Sequence, residues 1–197
     1  MSKFKENTIP GIFQNRVEKY GDRACVSYKK GGIYTDISWN GLNELVRSLA
    51  FYLFSIGVKK GDRIAVFSEN RYDWWVADLA ILSAGAINVP IYSTNSSEEC
   101  QYILNNSGTR LCFVSSEDHL DRVLKARKKA PSLKKIVIFN KFNKEKKDIL
   151  SVDTAMRVGR SFKQKNLFDK KINSIRPEDL ASIMYTSGTT GNPKGVR

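Results

Sequence analysis

The run 63-RIAVFSENRYDWWVADLAILSAGAINVPIY-92 changes its hydrophobic period twice. It opens on 63-RIAVFS-68, a short apolar run of the kind that fills a buried strand. Residues 72–84 are apolar over about three turns and are stopped by Gly85, as a buried helix would be. The segment 87-INVPIY-92 is strand-like again. Strand, helix, strand predicts a βαβ unit. The apolar stretch 74–91 could be mistaken for a membrane span, but it contains Asp78, Gly85, Asn88 and Pro90 and switches period midway.

The same alternation continues outward. In 96-SSEECQYILNNSG-108, Ser96 and Glu99 have the S-x-x-E spacing of a capping box. Then come a strand at 110-RLCFVS-115, a basic helix at about 118–129 and a strand at 135-KIVIFN-140. Toward the N-terminus, 9-IPGIFQNRVEKYG-21 predicts a short helix closed by Gly21. The runs 24-ACVSYK-29 and 33-IYTDISW-39, joined across Gly31-Gly32, predict a hairpin. Leu42, Leu45, Val46, Leu49, Ala50, Leu53 and Phe54 recur at helical spacing, with Asn40 or Ser38 to cap the start and Gly57 to end it. Residues 141–179 are less regular, with one helix expected near 152–163. The fold class is therefore α/β, a mostly parallel sheet with helices on both faces. Four subregions are expected within one partial domain spanning 1–197: hairpin and helix (1–60), βαβ units (61–140), a basic irregular segment (141–179), and a strand with a loop (180–197).

Net charge is +13 and unevenly spread. Residues 1–119 carry 13 basic and 13 acidic side chains, whereas residues 120–171 carry 17 basic against 5 acidic. Such a block suits an anionic membrane face, anionic cofactors or a merely solvated Lys-rich surface, and 141-KFNKEKK-147 has the composition of a polar loop. Sparse aromatics in the block argue against nucleic acid. The N-terminus has no apolar h-region, and Cys25, Cys100 and Cys112 are odd in number without metal-ligand spacing. Reduced thiols and a cytoplasmic location are expected, with membrane association at the inner surface left open.

Chemistry concentrates in 185-YTSGTTGNPKGVR-197. Gly188, Gly191 and Gly195 permit positive φ and close backbone approach to a ligand. Thr186, Ser187, Thr189 and Thr190 offer hydroxyls, and Lys194 a mobile positive charge. Pro193 fixes its own φ and biases Asn192 toward extended backbone. A few charge-assisted hydrogen bonds of about 1.5–3 kcal/mol each could hold a triphosphate tail. The spacing differs from the P-loop of common NTPases, in which the lysine follows the second glycine directly and opens a helix.

The stretch 186-TSGTTGNPKG-195 resembles the phosphate-loop signature of the adenylate-forming (AMP-binding) superfamily. ENR-x-D-W at 69–74, ADLAILSAGA at 77–86 and VPIYST at 89–94 narrow the likeness to the N-terminal region of long-chain acyl-CoA synthetases, as does the lead-in 176–191. The resemblance covers nearly all of 9–197 and is vaguest over 141–171. It implies the N-terminal part of the large domain of an adenylate-forming enzyme. It further implies Mg-ATP-dependent conversion of a fatty acid to an acyl-adenylate and then, with coenzyme A, to the thioester. By the same resemblance Thr186, Ser187, Gly188, Thr189, Thr190, Gly191 and Lys194 contact ATP phosphates, while the catalytic residues lie outside this chain. Turnover by the 197-residue chain alone is not expected. The alternatives are a related enzyme acting on a medium-chain, aryl or amino acid, and a non-catalytic fragment with weak ATP binding. Partners implied are the fatty acid, ATP and coenzyme A, with homo-oligomers and peripheral membrane contact also open and no metal ligands assigned.

Several residues are set aside. His119, the only histidine, lies in the polar helix start 115-SSEDHLDR-122 and is expected at the surface or as a cap. One of Trp74 and Trp75 is expected in the core. Asp73 and Asp78, five apart, do not share a helix face, and Arg71 is expected to make local ion pairs.

Overall fold

The computed structural model describes residues 3–186 and 193–196. Helix α1 (Ile9–Tyr20) is capped by Thr8, whose side chain accepts from the Gly11 amide, and ends at Gly21. Strands β1 (Ala24–Lys30) and β2 (Ile33–Ser38) form an antiparallel ribbon. Gly31 and Gly32, at φ 57° and 87°, supply the two consecutive positive values that a two-residue hairpin turn needs. Of the two cap candidates for α2 (Trp39–Ser55), Ser38 serves, accepting from the Gly41 amide.

The predicted βαβ series then follows: β3 (Arg63–Phe67), α3 (Tyr72–Ser83), β4 (Ile87–Ile91), α4 (Ser97–Ser107), β5 (Leu111–Val114), α5 (Glu117–Arg127) and β6 (Lys135–Ile138). Both halves of the Ser96–Glu99 capping box are made. The sheet is parallel throughout, in the order β4-β3-β5-β6-β7, where β7 is Ile149–Ser151. Alternate strand residues face opposite layers. Ile64, Val66, Leu111, Phe113 and Val137 pack with α1, α2 and α3 and with two later helices, α6 (Val152–Arg160) and α7 (Leu167–Ser174). Ala65, Phe67, Cys112, Val114, Ile136 and Ile138 pack with α4 and α5. With both faces covered, the strands are largely apolar runs.

The segment 141–179 holds more structure than predicted. β7 extends the sheet by three residues, and Ser151 at once caps α6 through the Thr154 amide. The expected helix near 152–163 ends at Arg160, and α7 adds a second one, held by Phe168 and Ile172. Cys25, Cys100 and Cys112 are free thiols. Burial pushes the Cys100 thiol up to about 12 and raises Cys112 well above its ordinary value, so neither is a ready nucleophile. No described helix is long and apolar enough to cross a membrane.

Candidate phosphate-binding hairpin

The chain approaches the candidate loop along the edge of the parallel sheet. Asn88 in β4 gives its backbone amide to the Ala181 carbonyl (2.9 Å) and accepts from the Ile183 amide (2.9 Å), making a single parallel bridge with Ser182. The chain then leaves the sheet as an antiparallel hairpin of β8 (Met184–Thr186) and β9 (Lys194–Val196).

Thr186 and Lys194 are cross-strand partners at the mouth of this hairpin, and both are exposed. A threonine hydroxyl and an ammonium group therefore flank one opening, although eight positions separate them in sequence. Among the described residues Lys194 makes no ion pair, which leaves its charge available to an anion. Ser187, Gly188, Thr189, Thr190 and Gly191, the other predicted phosphate contacts, lie outside the described residues.

The base of the hairpin is fixed by one aromatic residue. Tyr185 is buried, its hydroxyl donates to Asn106 Oδ1 (2.7 Å), and its ring meets Tyr102 on α4 edge-on at 6.4 Å. Burial, reinforced by Tyr102, raises the Tyr185 hydroxyl above the usual phenol range. Gly195, expected to supply positive φ, is instead an extended strand residue. A Cβ there would stand 3.1 Å from Ile183 Cγ2 and 3.2 Å from Tyr185 Cζ, so the missing side chain makes room for the tyrosine ring.

Behind the hairpin, the Asn88 side chain is almost fully buried and donates through Nδ2 to Asp78 Oδ1 (2.7 Å). Burial raises Asp78 above the ordinary carboxylate range, and the Asn88 bond only partly offsets it. The pair borders a cleft of about 700 Å³ at the strand ends, whose walls include Trp74, Leu82, Ile91, Tyr92 and Met184.

The ENR-x-D-W stretch and His119 form a polar knot where the strand order reverses between β3 and β5. Ser115 Oγ donates to Glu69 Oε2 (2.5 Å) and lies 3.0 Å from His119 Nδ1, which is 2.8 Å from Ser116 Oγ. His119 Nε2 lies 3.1 Å from the Ser93 carbonyl, and the Phe67 ring stands edge-on at 4.4 Å. The histidine is thus buried, not on the surface as expected; its backbone amide still takes the Ser116 cap. Burial pushes the Glu69 carboxyl up, but the Ser115 bond and the nearby Arg71 carry it below its usual range. Arg71 pairs with Asp73 (2.6 Å) and Glu69 (3.4 Å), the local ion pairing expected of it, and also donates to Asn140 Oδ1 (2.9 Å). Trp74 packs partly against the core while Trp75 is 53% exposed. In an open parallel sheet a reversal of strand order often leaves a ligand crevice. Here Glu69 and Ser93 of the knot line the same cleft as Met184 of the hairpin.

Residues 13–197 match the model of the AMP-binding enzyme family. The chain belongs to that family. AMP-binding relatives include a long-chain-fatty-acid–CoA ligase, FadD15, of Mycobacterium bovis, 34% identical over 194 residues covering 98% of this chain and 31% of the relative. A second, the long-chain-fatty-acid–CoA ligase ACSBG2 of Xenopus laevis, is 32% identical over 96% of this chain and 26% of its own length. The chain thus spans between a quarter and a third of these relatives. Among solved structures, the anthranilate CoA ligase AuaEII in complex with anthranoyl-AMP superposes over the whole chain and 35% of its own, with a TM-score of 0.80 at 21% identity. A Mycobacterium tuberculosis fatty acyl CoA synthetase does so over 98% and 34%, with a TM-score of 0.74 at 22% identity. The shared architecture is the N-terminal part of adenylate-forming enzymes.

Proposed function

We propose that this chain forms the phosphate-gripping N-terminal part of an AMP-forming long-chain fatty-acid–CoA ligase. The observation that carries the proposal is the hairpin, which sets Thr186 and Lys194 face to face across a loop of the family's phosphate-binding composition. Identity above 30% to long-chain ligases, over nearly all of the chain, supports the choice of substrate.

In this scheme the fatty-acid carboxylate attacks the α-phosphate of ATP, pyrophosphate leaves, and coenzyme A then displaces AMP from the acyl-adenylate. Thr186, Ser187, Gly188, Thr189, Thr190, Gly191 and Lys194 hold the β- and γ-phosphates. Lys194 balances charge on the departing pyrophosphate, and the hydroxyls and backbone amides donate to its oxygens. Tyr185, bonded to Asn106, keeps the base of the hairpin in place while the charge moves. The attacking carboxylate is already ionised at neutral pH, so no general base is required of this chain. ATP arrives as its Mg²⁺ complex. Among the described residues no group of three or more His, Cys, Asp or Glu could hold that ion.

Calorimetry with ATP tests the grip. Removing one charge-assisted bond of about 1.5–3 kcal/mol should weaken binding in Lys194→Ala by roughly 10- to 150-fold. Equal affinity for the variant and the parent chain would refute the assignment of Lys194. The chain alone should show no ATP–pyrophosphate exchange. Extended to the length of its relatives, it should exchange with palmitate and not with benzoate or an amino acid. Exchange with benzoate alone would keep the adenylating chemistry and remove the long-chain substrate.

A further inference from the structure

We propose that the β1–β2 hairpin is a membrane finger, which docks on an anionic bilayer by placing Ile33 and Tyr34 in the interface and Lys29 and Lys30 against lipid phosphates. The ribbon is a separate two-stranded sheet, outside the five-stranded one. Its tip carries the two most exposed large apolar side chains among the described residues, Ile33 at 72% and Tyr34 at 71%. The turn beneath them is open: a Cβ at Gly31 or Gly32 would meet nothing within 4 Å.

The register pairs each apolar side chain with a lysine, Lys30 with Ile33 and Lys29 with Tyr34, and the Lys29 ammonium lies 5.8 Å from the Tyr34 ring. No acidic residue occurs from Ala24 to Thr35, so the tip is wholly cationic. The root of the ribbon is held firmly. Tyr28 packs on Tyr72 at 4.6 Å, and Val26 and Ile37 rest on the core. The half-exposed Trp75 shares a cleft of about 810 Å³ with Lys29 and Lys30. An amphipathic tyrosine and tryptophan with lysines beside an apolar tip is the chemistry that settles at the headgroup level of a bilayer.

A lipid surface fits better than a protein groove because consecutive strand residues point to opposite faces. Both faces of the tip therefore present a lysine beside an apolar group, as a surrounding fluid phase requires. A groove would cover one face and leave the other in water. The ribbon's lysines lie outside the basic block 120–171, of which α5 packs on the α4 side of the sheet and α6 and α7 on the α2 side. The membrane finger does not depend on the ligase assignment.

Co-sedimentation of the 197-residue chain with phosphatidylcholine vesicles, with and without 30% phosphatidylglycerol, tests the proposal at low salt. Binding is expected only to the anionic vesicles. Each basic residue at such a surface is worth about fivefold in partitioning, so Lys29→Gln with Lys30→Gln should lose about 25-fold. Ile33→Ser with Tyr34→Ser should lose at least about tenfold, with an unchanged far-UV circular dichroism spectrum, since none of the four side chains belongs to the core. In an Ile33→Trp variant, the added emission should be quenched by brominated lipid. Absence of vesicle binding would overturn the proposal. So would binding that survives both double variants but is lost when Lys141, Lys144, Lys146 and Lys147 are neutralised.

Discussion

Helices α2 and α6 approach until backbone meets backbone, and Gly159 makes that approach possible. A Cβ at position 159 would stand 1.8 Å from the Ser48 carbonyl oxygen and 2.9 Å from the Tyr52 nitrogen, both on α2. Contacts under 3.0 Å are essentially never seen for real Cβ atoms, so Gly159→Ala forces the helices apart. Neither can retreat freely. Leu49, Ala50 and Leu53 on α2 are fully buried, as is Ala155 on α6. Alanine favours a helix over glycine by about 1 kcal/mol. Overpacking a dense core costs about 1–3 kcal/mol, and a clash against backbone belongs at the upper end. The net expectation is a loss of about 2 kcal/mol, which for a chain of this size lowers the melting temperature by roughly 4–8 °C. Thermal unfolding followed by circular dichroism measures it, with Val158→Ala on the exposed side of α6 as a control expected within about 0.5 kcal/mol. If Gly159→Ala melts at or above the parent chain, helix propensity outweighs packing and the close α2–α6 approach is not what limits this face of the core.

Two further outcomes follow from the groups around the hairpin. In Asp78 the folded-state pKa lies above the unfolded one, so the folded chain keeps a proton the unfolded chain has released, and stability falls as pH rises from about 3.8 through the raised value. The stability of Asp78→Asn relative to the parent in urea should therefore climb across that window and level off above it; a flat or falling difference would contradict the burial argument. Ser96→Ala removes the acceptor for the Glu99 amide and should cost about 1 kcal/mol in urea unfolding, loosening the helix that carries Tyr102 and Asn106; an unchanged midpoint would mean Glu99 alone caps α4.

Parts of the molecule whose determinants are contiguous in sequence were legible there. The strands buried on both faces are largely apolar runs, RIAVF, INVPI, LCFV and KIVI, and the Ser96–Glu99 box marks a helix start within four residues. The three-residue β7 and the eight-residue α7, with two buried anchors, are too brief to produce a period. His119 illustrates the second limit. Flanked by Glu117, Asp118 and Asp121 it has the sequence of a surface residue, yet it is buried because the chain brings the Ser93 carbonyl and the Phe67 ring to it from distant positions. The candidate phosphate loop stands out in the sequence by residue types in a row. The bond that seats it, Tyr185 to Asn106, spans 79 positions and leaves no local signal.

The departure of the hairpin from the sheet has a local cause in β4. Asn88 directs both its backbone groups outward, to Ala181 and Ile183, so the next residue facing that edge is two positions on, at Pro90. Proline has no N–H to offer, and a parallel strand laid along β4 cannot continue its ladder past that point. The incoming chain therefore makes one bridge and stops. Its next residues, Met184 to Thr186, satisfy their backbone against Lys194 to Val196 instead. Were residue 90 able to donate, 184–186 could run on as a sixth parallel strand, and Thr186 would be drawn along the sheet and away from Lys194. A single missing donor in the edge strand thus accounts for the hydroxyl and the ammonium facing each other at the mouth of one loop. Asn88 carries the load of that arrangement twice over, through its backbone to the hairpin stem and through its side chain to Asp78.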